Sequence, residues 1–139
     1  MGVNKESDQF KVALLGVIFD PEKKKILIGR RENDPHIPKL TWSFPGGKLT
    51  LGRDVEKALK DKIKRKTGLS IENLGSIYSR TPPEKKDLLL IYFLCEVVKG
   101  NEKAGDDFLE LKWVRPEELE KYFTTSFHPH MKEYILNLK

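Results

Sequence analysis

The chain has 139 residues, of which 38% are hydrophobic and 34% charged, with a formal net charge of +5. That length fits one domain and leaves little room for a second; the apolar middle excludes a disordered chain, and no apolar run approaches the ~18 residues needed to cross a bilayer. No apolar signal region follows the opening MGVNKESDQF, so a cytoplasmic protein is expected, with residues 1–9 a flexible tail and 10–139 a single domain.

In chain order, Val12 to Phe19 (VALLGVIF) is β-rich and almost continuously apolar, as in a central strand. Asp20-Pro21-Glu22 makes a turn, and Ile26 to Ile28 a short strand that ends at Gly29-Arg30-Arg31. Residues 32–41 form a two-proline loop. Trp42-Ser43-Phe44 is extended, which suits the proline that follows, and Gly46-Gly47 supplies freedom for a tight turn. A helix is expected to begin near Gly52 or Arg53, with Asp54 in its first turn. Lys64, Arg65 and Lys66 fall in its last turn, and Gly68 stops it. Val55, Ala58, Leu59 and Ile63 form its packing stripe. Strands follow at Ile71 to Ser79, Leu88 to Val98 and Phe108 to Val114. Arg115-Pro116-Glu117-Glu118 opens a short helix, and 129–138 a last one with Met131, Tyr134, Ile135 and Leu138 on one side. Strands mixed with helices in this order make an α/β protein whose mixed sheet is covered by helices.

The charge is concentrated. Arg53 to Lys66 holds seven basic residues (Arg53, Lys57, Lys60, Lys62, Lys64, Arg65, Lys66) against Asp54, Glu56 and Asp61. Such a patch attracts phosphate, whether of a nucleotide or a nucleic acid, or it is a solvated helix face with weak pairs at Lys57/Asp61 and Glu56/Lys60. The one cysteine, Cys95, lies in LLLIYFLCEVV. No disulfide can form within the chain, and a buried, inert thiol is expected. Trp42 and Trp113 read as core. His36, His128 and His130 are too few and too scattered for a zinc site.

From Trp42 to Leu69 the sequence runs WSFPGGKLTLGRDVEKALKDKIKRKTGL, which resembles the Nudix hydrolase family. The family's signature is Gly, five residues, Glu, seven residues, Arg-Glu, an aliphatic residue, one residue, Glu-Glu, one residue, Gly and an aliphatic residue. Its spacing is matched by Gly47, Ile63, Gly68 and Leu69. The flanks, Gly29-Arg30-Arg31 and Leu111 to Val114 followed by Arg115-Pro116-Glu117-Glu118-Leu119, are similar as well, so the resemblance covers about residues 10–138. It implies an α/β/α sandwich with a mixed sheet, and a hydrolase that holds magnesium or manganese against a diphosphate.

The residues that would hold the ion are replaced. The first motif glutamate falls on Arg53, the Arg-Glu pair on Asp61-Lys62, the Glu-Glu pair on Arg65-Lys66, and an acid often found after the double glycine on Thr50. At roughly 100° per residue, Lys62, Arg65 and Lys66 share one side of the helix. Three cations there repel a divalent ion, and arginine cannot lose its charge to become a ligand or base. A slipped register using Asp54 and Asp61 abandons the glycine and aliphatic positions.

The expected function is therefore phosphate binding without the family's hydrolysis, by Arg53, Lys62, Arg65, Lys66, Arg30 and Arg31, with Gly46 and Gly47 beside them and no metal or other cofactor. The ligand would be a nucleotide or RNA. Phe44, Tyr78 and Tyr92 are candidates for stacking on a base. One alternative is an active hydrolase of nucleoside diphosphate derivatives, with Asp107 and Glu110 as the acids and magnesium or manganese retained. Another is a structural or protein-binding domain. An exposed strand or the last helix offers a surface for a homodimer, and no membrane partner is expected.

Overall fold

The computed structural model describes residues 9–32, 41–124 and 127–139. His36, the two-proline stretch and the polar tail before Gln9 lie outside the described residues. The elements run β1 (Lys11–Asp20), β2 (Lys25–Arg30), β3 (Trp42–Ser43), β4 (Gly46–Leu49), α1 (Val55–Thr67), β5 (Leu69–Arg80), β6 (Leu88–Gly100) and β7 (Glu110–Val114). A 3-10 turn at Pro116–Glu118 leads into α2 (Leu119–Tyr122), and α3 (Pro129–Leu136) follows.

The sheet is mixed, with order β3-β2-β1-β6-β5, while β4 joins β1 and β7 joins β2. β1 runs parallel to β6 from Lys11/Leu88 to Ile18/Cys95. Its other edge changes partner midway: Val12 to Leu15 pair with β4, whereas Phe19 and Asp20 pair with β2. Between the two, Gly16 N–H donates to Pro45 O at 2.7 Å.

Alternation along β1 explains why both faces of the sheet are covered. Leu14 and Ile18 pack with Ala58, Leu59 and Ile63 of α1, whereas Val17 and Phe19 pack with Leu119, Met131 and Ile135 of α2 and α3. Each fully buried Leu or Ile contributes about 1.5–3 kcal/mol relative to exposure. Two apolar layers around one sheet give the α/β/α sandwich. Among the described residues no helix is long and apolar enough to cross a membrane.

Three local readings are corrected. Gly46-Gly47 is not a turn: both residues lie in β4, antiparallel to Leu14 and Leu15. Glycine is needed at 46 for close approach, because a Cβ there would stand 1.9 Å from Leu14 O at a φ of +155°. The reversal falls instead at Thr50–Arg53, with Arg53 N–H donating to Thr50 O at 3.2 Å and Gly52 at φ +82°. Helix α1 then starts after Arg53. Asp54 is its N-cap and accepts from Lys57 N–H at 3.0 Å, and Gly68 closes it in the left-handed region. Finally, Phe108 precedes β7 and is a core plug: its ring fills the place of a side chain at Gly29, 2.1 Å from a Cβ built there.

Candidate anion-binding site

The site forms where α1, β4, the end of β2 and the 101–109 loop meet. The loop docks on backbone groups that the helix leaves open at its C-terminus. Lys103 N–H donates to Thr67 O at 2.8 Å and Gly105 N–H to Lys66 O at 3.0 Å. Gly105 allows this approach, since a Cβ would meet Arg65 O at 2.2 Å. At its far end Leu109 N–H donates to Arg30 O at 2.7 Å. The loop thus fastens α1 to β2 and sets Asp107 between them.

Asp107 bridges two cations. One carboxylate oxygen bonds Arg31 Nη1, and the other lies 3.4 Å from Lys66 Nζ. Both cations are largely enclosed, with side chains 12% and 10% exposed. Lys66 also lies over the Phe108 ring, 5.2 Å from its centroid, in cation–π contact. Burial pushes the Lys66 ammonium below its ordinary range; the Asp107 carboxylate opposes this and the Arg31 charge adds to it. For Asp107, desolvation favours the neutral acid, but the Lys66 and Arg31 charges together outweigh it and hold the carboxyl below its usual value.

A second carboxylate bridges another pair. Arg53 Nη2 and Arg65 Nη2 converge on the same oxygen of Asp61, at 3.9 and 3.3 Å. Here the arginines are open to solvent, 45% and 57% exposed. Positions 53 and 61 thus carry the reverse of the signature's Glu and Arg, and here they form an ion pair. Asp61 does not bond Lys57, the partner expected from helical spacing, whereas the expected Glu56/Lys60 pair is present at 3.2 Å. Lys62 is half-buried, its stem 3.1 Å from where a Cβ on Gly47 would stand, and it has no carboxylate partner among the described residues.

The remaining sequence candidates are distributed unevenly. Arg30 Nε donates to Glu110 at 3.1 Å, its cross-strand partner in the β2–β7 ladder. Phe44 and Tyr92 are buried, not exposed faces for a base. Phe44 is 3% exposed and packs edge-on against Tyr92 and Phe123, and burial pushes the Tyr92 phenol up to about 12. Tyr78 is half-buried and lies against His128, ring centroids 5.1 Å apart and the planes tilted by 42°. His128 caps α3, its Nδ1 accepting from His130 N–H at 3.1 Å. The tryptophans are half-buried rather than core: Trp42 meets Tyr122 edge-on, and Trp113 Nε1 donates to Glu102 at 2.5 Å. Cys95 is buried as expected, and its thiol is pushed up to about 12 by desolvation and then by Glu56.

The sequence reading missed two features. The bridging role of Asp61 had a signal, its i,i+4 spacing to Arg65. The seating of Phe108 on Gly29 had none, because nothing local ties residue 108 to residue 29.

The NUDIX domain model matches residues 9–138, nearly the whole chain. The chain belongs to this family. Among relatives, it is 34% identical over 113 residues to an ADP-ribose pyrophosphatase of Methanocaldococcus jannaschii, a match covering 79% of this chain and 64% of that protein. It is 27% identical over 93 residues to a nucleoside triphosphatase of Escherichia coli, covering 58% of this chain and 66% of the relative. The chain therefore spans somewhat under two-thirds of these relatives' lengths. A NUDIX hydrolase structure from Nitrosomonas europaea superposes with a TM-score of 0.73 at 16% identity, covering 91% of this chain and 70% of the other. That likeness concerns the fold.

Proposed function

We propose that this NUDIX-fold chain binds a phosphate-containing ligand, a nucleotide or RNA, directly through its own cations, and is inactive or strongly impaired as a metal-dependent hydrolase. One observation carries the reading. Arg53, Lys62, Arg65 and Lys66 occupy the signature's acidic positions; Arg53 and Arg65 share the single carboxylate of Asp61, and Lys62 beside them has no carboxylate partner among the described residues. Guanidinium forks match phosphate oxygens, and the excess charge draws an anion.

These residues do not fit a magnesium or manganese ion. Such ions need several oxygen donors with negative charge. Here Asp61, Asp107 and Glu110 are each held by an arginine or lysine, and Lys66 stands where a ligand would. Among the described residues no group of three or more His, Cys, Asp or Glu is placed to hold a metal. In this reading the ammonium and guanidinium groups replace the ion as the counter-charge to phosphate, and water is given no activating base. The cytoplasm, where nucleotides abound, suits such a protein.

The test is calorimetric titration with ADP-ribose, nucleoside triphosphates and a short RNA, in EDTA and in magnesium, alongside assay of phosphate-bond cleavage. Binding that survives EDTA, weakens with salt and falls at least tenfold in a Lys62→Glu/Arg65→Glu variant, without turnover, upholds the reading. Absence of binding to all three at low salt rejects it. A second reading is favoured by the 34% identity to a protein named ADP-ribose pyrophosphatase: hydrolysis of a nucleoside diphosphate derivative, with Asp107 and Glu110 as the acids and magnesium or manganese as cofactor. Metal-dependent turnover lost on replacing those two residues would establish it.

A further inference from the structure

The two bridged cation pairs differ in a way that separates their roles. Around Asp107 the cations are enclosed, and the bridge is part of the loop's attachment to the helix. Around Asp61 both arginines are roughly half exposed and reach one carboxylate oxygen at 3.3 and 3.9 Å. An exposed pair of this kind is held weakly, whereas an enclosed one is costly to break. An incoming anion can therefore exchange with Asp61 far more readily than with Asp107.

We propose that Asp61 is a built-in competitor: its carboxylate fills the phosphate seat between Arg53 and Arg65 and sets a charge threshold that selects terminal phosphates over internal phosphodiesters. The proposal rests on the phosphate-binding reading and goes beyond it by naming the seat and the ligand class. A diester linkage carries one negative charge, the same as the carboxylate it must displace, so the exchange gains nothing electrostatically. A terminal phosphate carries about −1.5 to −2 at neutral pH and exposes three acceptor oxygens, enough to engage both guanidinium forks. Lys62, on the same side of α1 as Arg65, adds charge with no carboxylate of its own among the described residues. Nucleotide ends and inorganic pyrophosphate, which carry terminal phosphates, fit this seat; the interior of an RNA chain does not.

The experiment compares the full chain with Asp61→Asn and Asp107→Asn, titrating inorganic pyrophosphate and a dinucleotide with hydroxyls at both ends, in EDTA at low salt. The wild-type chain is expected to bind pyrophosphate at least tenfold tighter than the dinucleotide. Asp61→Asn should tighten pyrophosphate binding about tenfold with a melting temperature near wild type, and Asp107→Asn should give no gain and melt lower. Asp61→Ser serves as a second variant should the asparagine protein fold poorly. Unchanged or weaker binding in a folded Asp61 variant overturns the competitor role while leaving the phosphate reading in place. An equal gain in Asp107→Asn also overturns it, by showing a general field effect. Equal wild-type affinity for the two probes overturns the threshold. No binding by wild type or either Asp61 variant removes this proposal and the phosphate reading together.

Discussion

Lys66 sits 3.4 Å from the Asp107 carboxylate with the Phe108 ring beneath it, so a charge that helical spacing assigns to a surface patch is instead enclosed. Glutamate at 66, the residue type of the family signature, would face Asp107 and abandon the cation–π contact. Lys66→Glu should cost about 3–5 kcal/mol, since it breaks an enclosed pair and adds like-charge repulsion. Lys66→Met keeps the stem packing and should cost no more than about 1–2 kcal/mol. Urea unfolding of both variants checks this; equal costs would mean that the ion pair adds nothing beyond packing.

The same pair sets a pH dependence of one sign at both ends of the scale, stability rising with pH in each window. Asp107 titrates below its ordinary value of 3.8, so the stability it adds is complete above that value and is lost as pH falls through its lower folded pKa. Lys66 titrates below 10.5, so in alkali the unfolded chain holds more protons and this group's contribution rises with pH up to the unfolded value. Melting temperature against pH should therefore lose part of its acid limb below about pH 4 in Asp107→Asn, and part of any alkaline rise in Lys66→Met. Superimposable wild-type and variant curves would contradict both assignments.

Three glycines make a graded series. Gly46→Ala drives a methyl group into Leu14 O at a positive φ, and Gly29→Ala drives one into the Phe108 ring. Each should cost more than about 2 kcal/mol, with Gly29→Ala also displacing the loop that carries Asp107. Gly52→Ala meets nothing within 4 Å and bears only the strain of φ +82°, about 1–2 kcal/mol. Denaturant midpoints should follow that order.

Cys95 is 1% exposed, its thiol pushed up to about 12. An aromatic disulfide reagent at pH 8 should leave it unlabelled in the native chain and label it within minutes in denaturant. Rapid labelling without denaturant would show that β6 opens locally.

Where chain-local physics decides the outcome, the sequence was readable. Continuous apolar runs marked β1 and β6, and Gly68 marked the end of α1 because a left-handed residue is needed there. Lys66 was half readable: it lies three residues beyond Ile63 on the buried stripe, but Asp107, which neutralises it, comes from a loop far along the chain. Gly46 misled for a related reason. Glycine serves turns and close backbone contacts alike, and only the neighbouring strand, with Leu14 O against it, tells them apart. The site's bridges at Asp107 and Glu110 likewise depend on β2 and β7 meeting, a pairing without a local signature.

The parallel pairing of residues 11–18 with residues 88–95 also sets an order of events during synthesis. A nascent chain exposes the apolar β1 segment long before β6 leaves the ribosome, and helix α1 has only β1 and β4 to pack on until β5 and β6 follow. Contacts this distant in sequence slow folding and prolong exposure of an adhesive strand. Expression at low temperature or with a holdase chaperone should therefore raise the soluble yield more than any change on the cationic face.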